Sequence, residues 1–188
     1  MPNAGDPSTN DTPGTDWWRH HFTGLMTDLW RAILPKGPST ADAAALVKRC
    51  ALAAGAKVLD VPCGEGRIAV ELAAMGLDVT GIDISADLIA DAKAKSAARG
   101  LNIDFQLGDM RDLPPGANFD AIFCMGDSFG YMDDAGNLAF LKAARAALKP
   151  GGWMVIEIKM LAEILFPNFR DKAAADIGGM TLNIARSF

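Results

Sequence analysis

Five short apolar runs, each closing on an acidic residue or a polar or glycine-rich turn, leave this chain few folds to choose from. They lie at Lys57–Val61, Asp78–Asp83, Ile103–Asp109, Phe119–Gly126 and Trp153–Ile158, and each has the length of a strand. The stretch holding Ile68, Ala69, Leu72 and Ala73, then Ala86–Arg99 and Asp134–Leu148, repeats apolar residues at helical spacing. The last of these ends at Lys149-Pro-Gly-Gly152. Strands alternating with helices predict an α/β fold: three layers, α/β/α, around a doubly wound, mainly parallel sheet. Ligands of such sheets bind beyond the carboxyl ends of the strands.

The flanks are simpler. Residues 1–15 carry little to bury and read as a disordered tail. From Trp17 to Leu34 the steps 18, 22, 25, 26, 29 and 33 form one helical stripe of aromatic and aliphatic residues, ended by Pro35-Lys-Gly-Pro38. Ser39 or Thr40 can cap a second helix running to about Ala54. With 188 residues the chain reads as a single domain over 16–188, with N-terminal helices (16–54) and an α/β core (57–159). Residues 171–176 look like a surface segment, and Met180–Ile184 begins a further strand.

Composition removes several function classes. Half of the residues are hydrophobic and 22% are charged, which excludes global disorder. A net charge of −5 argues against a nucleic-acid clamp or a binder of anionic membranes. Cys50, Cys63 and Cys124 form no CxxC pair, and the two histidines, His20 and His21, are adjacent. Neither a disulfide framework nor a zinc site is expected, so a reducing cytoplasm is the default location. Met1–Asp16 lacks the parts of a signal peptide, and no apolar run reaches the ~18 residues of a membrane span.

The chemistry concentrates in Val58-Leu-Asp-Val-Pro-Cys-Gly-Glu-Gly-Arg67. Gly64 and Gly66, between strand and helix, let a ligand approach the backbone at a helix N-terminus. Gly64-Glu-Gly-Arg-Ile-Ala69 also satisfies the dinucleotide pattern G-x-G-x-x-G/A, with Asp83 closing the next strand. The charges oppose that reading. Asp60 ends the strand and Glu65 sits in the loop, where carboxylates would repel a pyrophosphate. They favour a cationic ligand instead. S-adenosylmethionine carries an ammonium and a sulfonium and no phosphate, so the loop favours it over NAD. Asp83 is placed to accept from both ribose hydroxyls, and Asp109 from an adenine amino group, with Met110 against the ring.

Taken together, residues 58–67, Gly-Ile-Asp-Ile-Ser (81–85), Gly-Asp-Met (108–110), Phe-Asp-Ala-Ile (119–122) and Leu-Lys-Pro-Gly-Gly (148–152) carry a resemblance. The run from Lys57 to Ile158 resembles a class I (Rossmann-like) S-adenosylmethionine-dependent methyltransferase. Residues 126–134 are similar to small bacterial members that act on small molecules. The resemblance implies that Asp60, Gly64 and Gly66 lie by the methionine portion, with Pro62 and Cys63 in the same loop. It implies that Asp83, beside Ile84, binds the ribose and that Asp109 with Met110 binds adenine. Gly126 and its neighbour Met125 would line the methyl-transfer channel. Pro62 replaces the first glycine of the family's loop, removing one N–H donor. Members continue past the fifth strand into an antiparallel pair; here that region begins near Met180, so the C-terminal part is expected to be incomplete.

Methyl transfer from a sulfonium mainly requires positioning, which can be worth ~7–11 kcal/mol. Candidates for a base are His20 or His21, Asp127, Tyr131, and Glu157 or Lys159. At most one of the adjacent histidines can face a site on one side of a helix. The Trp17/Trp18/Phe22 stripe reads either as a helix buried on the sheet or as a lid. Cys63 and Cys124 read as core thiols. The expected activity is methyl transfer to a small-molecule acceptor, with no nucleic-acid or membrane partner. The alternatives are a cofactor-binding domain without turnover and, behind it, an NAD-type oxidoreductase. Trp153, Val155, Ile156 and Ile158 would leave an apolar sheet edge open to self-association.

Overall fold

The computed structural model describes residues 16–33, 37, 39–158, 172–177 and 179–185. Its centre is a parallel sheet of five strands in the order β3-β2-β1-β4-β5. These are β1 (Lys57–Asp60), β2 (Asp78–Asp83), β3 (Asp104–Leu107), β4 (Phe119–Cys124) and β5 (Leu148–Ile156). The order reverses between β1 and β4, the place in such a sheet where ligands bind beyond the carboxyl ends. The expected α/β architecture is therefore present.

Successive side chains leave opposite faces of each strand, so apolar runs bury both. Val58, Val79, Phe105 and Phe123 join Leu46, Ile68, Leu72 and Ile89 on one face, beneath α3 (Thr40–Arg49), α4 (Arg67–Ala74) and α5 (Ala86–Ala98). Leu59, Ile82 and Ile122 join Trp18, Phe140 and Ala144 on the other, with α6 (Asp134–Ala147). Ser85 caps α5 by accepting from the Leu88 amide, and Asp133 caps α6 by accepting from Gly136.

Two expectations need correction, and a third segment gains a strand. The single helix over residues 17–34 is two: α1 (Trp18–His21) and α2 (Leu25–Ile33). Gly24 lies at φ +53, and the Thr23 hydroxyl donates to the His20 carbonyl, so the backbone turns there. The second helix stops at Arg49, not near Ala54; Ala51 adopts φ +50, and the Gly55 amide is drawn onto the Gly76 carbonyl at 2.7 Å. Residues 171–176 were expected at the surface, and Lys172, Ala174 and Asp176 are exposed; residues 172–177 form a strand there, β6 (Lys172–Ile177). It pairs antiparallel with β7 (Met180–Ala185) through a two-residue connection in which Gly179 has φ +82. The hairpin is a sheet of its own, and among the described residues β5 stands at the edge of the main sheet. Trp153 on that edge is half exposed. The expected tail, residues 1–15, lies outside the described residues.

Candidate functional site

The carboxyl ends of β1, β2, β3 and β4 surround one cavity of about 1000 Å³, counting its open mouth. The loop after β1 forms its floor. Gly66 sits at φ +77 as the N-cap of α4, and a Cβ there would meet Phe105 at 2.9 Å and Ala92 at 3.0 Å. Only glycine fits that approach. Gly64 has φ +53 but faces open space, with nothing within 4 Å of where a Cβ would stand. Its backbone is bare toward the cavity.

Two aspartates hold the loop from behind. Asp60, 1% exposed, accepts the Ala69 amide on Oδ2 at 3.1 Å, fixing the first turn of α4. Burial pushes its carboxyl up to about 7. Asp83 accepts the Gly64 amide on Oδ2 at 2.7 Å and the Ser85 amide on Oδ1 at 2.8 Å. Burial raises its pKa as well, with those amides opposing the rise. Pro62, Cys63 and Ile84 line the same wall. The thiols of Cys63 and Cys124 are pushed up by burial, Cys124 to about 12, which fits their reading as core groups.

The other charges of the lining are engaged. Glu65 pairs with Lys95 at 2.6 Å, and Arg67 pairs with Asp42 at 3.0 Å and donates to the Ser39 hydroxyl. Glu65 is thus answered by a lysine, and the case for a cationic ligand passes from the loop carboxylates to Asp83. Asp109 departs further from expectation. Its carboxylate is held by Arg111, Nη2 at 2.6 Å from Oδ2 and Nε at 3.0 Å from Oδ1, with the Arg111 amide on Oδ1 at 2.9 Å. Burial acts to raise this carboxyl, but Arg111 more than offsets it and the pKa is lowered. The guanidinium groups of Arg111 and Arg19 lie over the Trp18 ring, 5.0 and 4.7 Å from its centroid. The signal for Arg111 was its position two residues after Asp109, which sequence reasoning passed over. Met110 lines the cavity beside this cluster.

On the β4 side, Met125 and Gly126 line the cavity, and the Gly126 amide donates to Glu157 Oε2 at 3.0 Å. That contact makes Glu157 a brace for the turn. Tyr131 lines the cavity; His20, His21 and Asp127 do not. His20 is exposed, and His21 packs edge-on against Trp17 and Phe22 at 5.0 Å. Lys159 lies outside the described residues. The Trp17/Trp18/Phe22 stripe lies before the turn at Gly24, and its reading as a helix on the sheet fits Trp18. Trp18 is buried against the sheet and lines the cavity together with Phe22 and Trp30. The Ser85 hydroxyl donates to the Phe22 carbonyl at 2.8 Å, tying this segment to the end of β2. Ser128 and Met132 are lining residues that the sequence did not single out.

Among the described residues no cluster of His, Cys, Asp or Glu is suited to hold a metal ion, and no helix is long and apolar enough to cross a membrane.

Comparison with known proteins agrees with this geometry. A methyltransferase-domain family matches residues 58–152, about half of the chain. A ubiquinone biosynthesis O-methyltransferase of Xanthomonas axonopodis pv. citri is 36% identical over 53% of this chain and 41% of its own length. A dTDP-3-amino-3,6-dideoxy-alpha-D-glucopyranose N,N-dimethyltransferase of Streptomyces fradiae is 35% identical over 76% of this chain and 54% of its own. An S-adenosylmethionine-dependent methyltransferase from Clostridium acetobutylicum superposes with a TM-score of 0.59 at 26% identity, covering 70% of this chain and 53% of that one. The chain spans only about two fifths to a half of the length of these curated relatives. The match over residues 58–152, on a sheet of this order, shows that the chain belongs to the methyltransferase-domain family.

Proposed function

We propose that this protein binds S-adenosylmethionine across the ends of β1, β2 and β3 and transfers its methyl group to a small-molecule acceptor held beside β4. The observation that carries this is Asp83, a nearly buried carboxylate bound to the bare backbone of Gly64 at the cavity floor. That pair suits a ligand offering hydroxyl donors and a positive charge and lacking phosphate. The residues present fit the cofactor: glycine backbone at 64, an acidic acceptor at 83, and Met110 and Ile84 as apolar cover.

S-adenosylmethionine supplies the methyl group on a good leaving group, sulfur, which keeps the electron pair of the broken S–C bond. The protein's own part is to hold and orient. Asp83 receives the ribose hydroxyls while retaining the Gly64 and Ser85 amides, since each carboxylate oxygen can accept twice. Asp60 keeps α4 and the loop in register from below. Asp109 stands at the adenine end with Arg111 on it, so Met110 and neighbouring backbone take the larger share of adenine contacts. Gly126, braced by Glu157, shapes the passage toward the acceptor. The nucleophile forms the new bond with its lone pair and releases its proton to water; no base is required for a neutral amine or an acidic phenol. Residues 16–188 act as one domain in this reading, in the cytoplasm, with the β5 edge as the place for any self-association.

Incubation with methyl-labelled S-adenosylmethionine and a panel of phenols and amines tests the proposal. Label should pass to at least one acceptor. Tight cofactor binding without transfer to any acceptor would favour the alternative of a binding domain without turnover.

A further inference from the structure

Resting on that reading, we propose that the chamber beside β4 takes an uncharged aromatic ring bearing a hydroxyl group, and that Tyr131 selects it by donating a hydrogen bond to that oxygen. The wall of this chamber is aromatic and pre-packed. Phe22 and Tyr131 are nearly parallel at 6.2 Å, and Trp30 meets Phe22 edge-on at 5.4 Å. Trp17 backs Tyr131 at 5.2 Å. Rings held this way present flat apolar surface at little further cost in side-chain entropy.

Charge narrows the choice. The basic group of the cavity lining, Arg67, is engaged by Asp42 and Ser39, and Arg111 and Arg19 near the adenine end are committed to Asp109. Among the described residues, an acceptor carrying a phosphate or carboxylate would therefore find no uncommitted side-chain cation, and only the cofactor's sulfonium to set against its desolvation. An ammonium-bearing acceptor would face the sulfonium at close range, where like charges repel. A neutral ring avoids both penalties.

The polar handle on this wall is the Tyr131 hydroxyl. Among the described residues nothing accepts a hydrogen bond from it, and burial, together with Asp127, raises its pKa. At neutral pH it stays a phenol and can donate. Tyr131 is thus a positioning residue, which revises its reading as a candidate base.

Fluorine NMR with three probes tests this on protein saturated with S-adenosylhomocysteine: 4-fluorophenol, 4-fluorotoluene and 4-fluorophenyl phosphate. The phenol should bind most tightly. Tyr131→Phe should weaken it roughly five- to tenfold, the worth of one hydrogen bond, and leave 4-fluorotoluene unchanged within about twofold. A merely structural role for Tyr131 would weaken both rings alike. Equal loss for phenol and toluene, no loss for either, or tighter binding of the phosphate would overturn the proposal. Failure of S-adenosylhomocysteine to bind would overturn the proposed function and this inference with it. Binding of that product without phenol selection would overturn only the inference.

Discussion

Asp83 accepts the amide of Gly64 at 2.7 Å, joining the end of β2 to the glycine loop that follows β1. One carboxylate thereby sets the loop's position and faces the cavity that the loop floors. Asp83→Ala removes the acceptor for two backbone amides, Gly64 and Ser85, at ~1–3 kcal/mol for each group left unsatisfied. Calorimetric melting should show that loss, and affinity for S-adenosylhomocysteine should fall at least tenfold. Asp83→Asn keeps an acceptor for one of these amides and turns an NH2 donor toward the other, so it should recover at most about half of the stability and little of the affinity. Full affinity in either variant would reduce Asp83 to a turn residue.

The two loop glycines should separate stability from binding. Gly66→Ala places a methyl against Phe105 and Ala92 in left-handed backbone, costing about 2–4 kcal/mol from strain and overpacking combined. Gly64→Ala meets open space and should cost only about 1 kcal/mol. Its methyl projects toward the cavity, so cofactor affinity should drop more than stability does. Denaturant midpoints beside binding constants decide this; a larger stability loss at 64 than at 66 would contradict it.

Much of this was legible from residues alone, and the misses have physical causes. The strand ends near Asp60 and at Asp83 show in the sequence because the first apolar run stops at Val61-Pro62 and the second at an acid. The break at Gly24 was hidden because Trp18, Phe22, Leu25 and Ile33 keep a helical spacing across it. Strand β6 was hidden because Ala173, Ala174 and Ala175 have no strand preference; pairing with Ile184, Asn183 and Leu182 of β7 supplies it. The Arg111–Asp109 contact depends on a side chain folding back over two residues, which spacing alone does not report. The charges of Glu65 and Arg67 were visible, but their neutralisation by Lys95 and Asp42 comes only with the helices packed.

Asp60 gives the fold a pH dependence of definite sign. Its carboxyl is raised from 3.8 to about 7 by burial, so the folded state resists ionisation that the unfolded chain accepts. Its contribution to stability is fully present below pH ~3.8 and is lost as pH rises toward 7. Asp60→Asn retains an acceptor for the Ala69 amide and removes this loss. Melting temperatures of the variant relative to the parent should therefore rise between pH 5 and 8. A difference that stays flat across that range would mean Asp60 ionises as easily in the fold as outside it.

The central claim is that this cavity is built for a sulfonium nucleoside, not a dinucleotide. Titration calorimetry of the 188-residue chain with S-adenosylhomocysteine, S-adenosylmethionine and NAD measures that directly. The first two should bind with one site per chain and NAD at least a hundredfold more weakly, since the floor meets a pyrophosphate with Asp83 and offers it no uncommitted cation. NAD binding as tightly as S-adenosylmethionine would contradict the account.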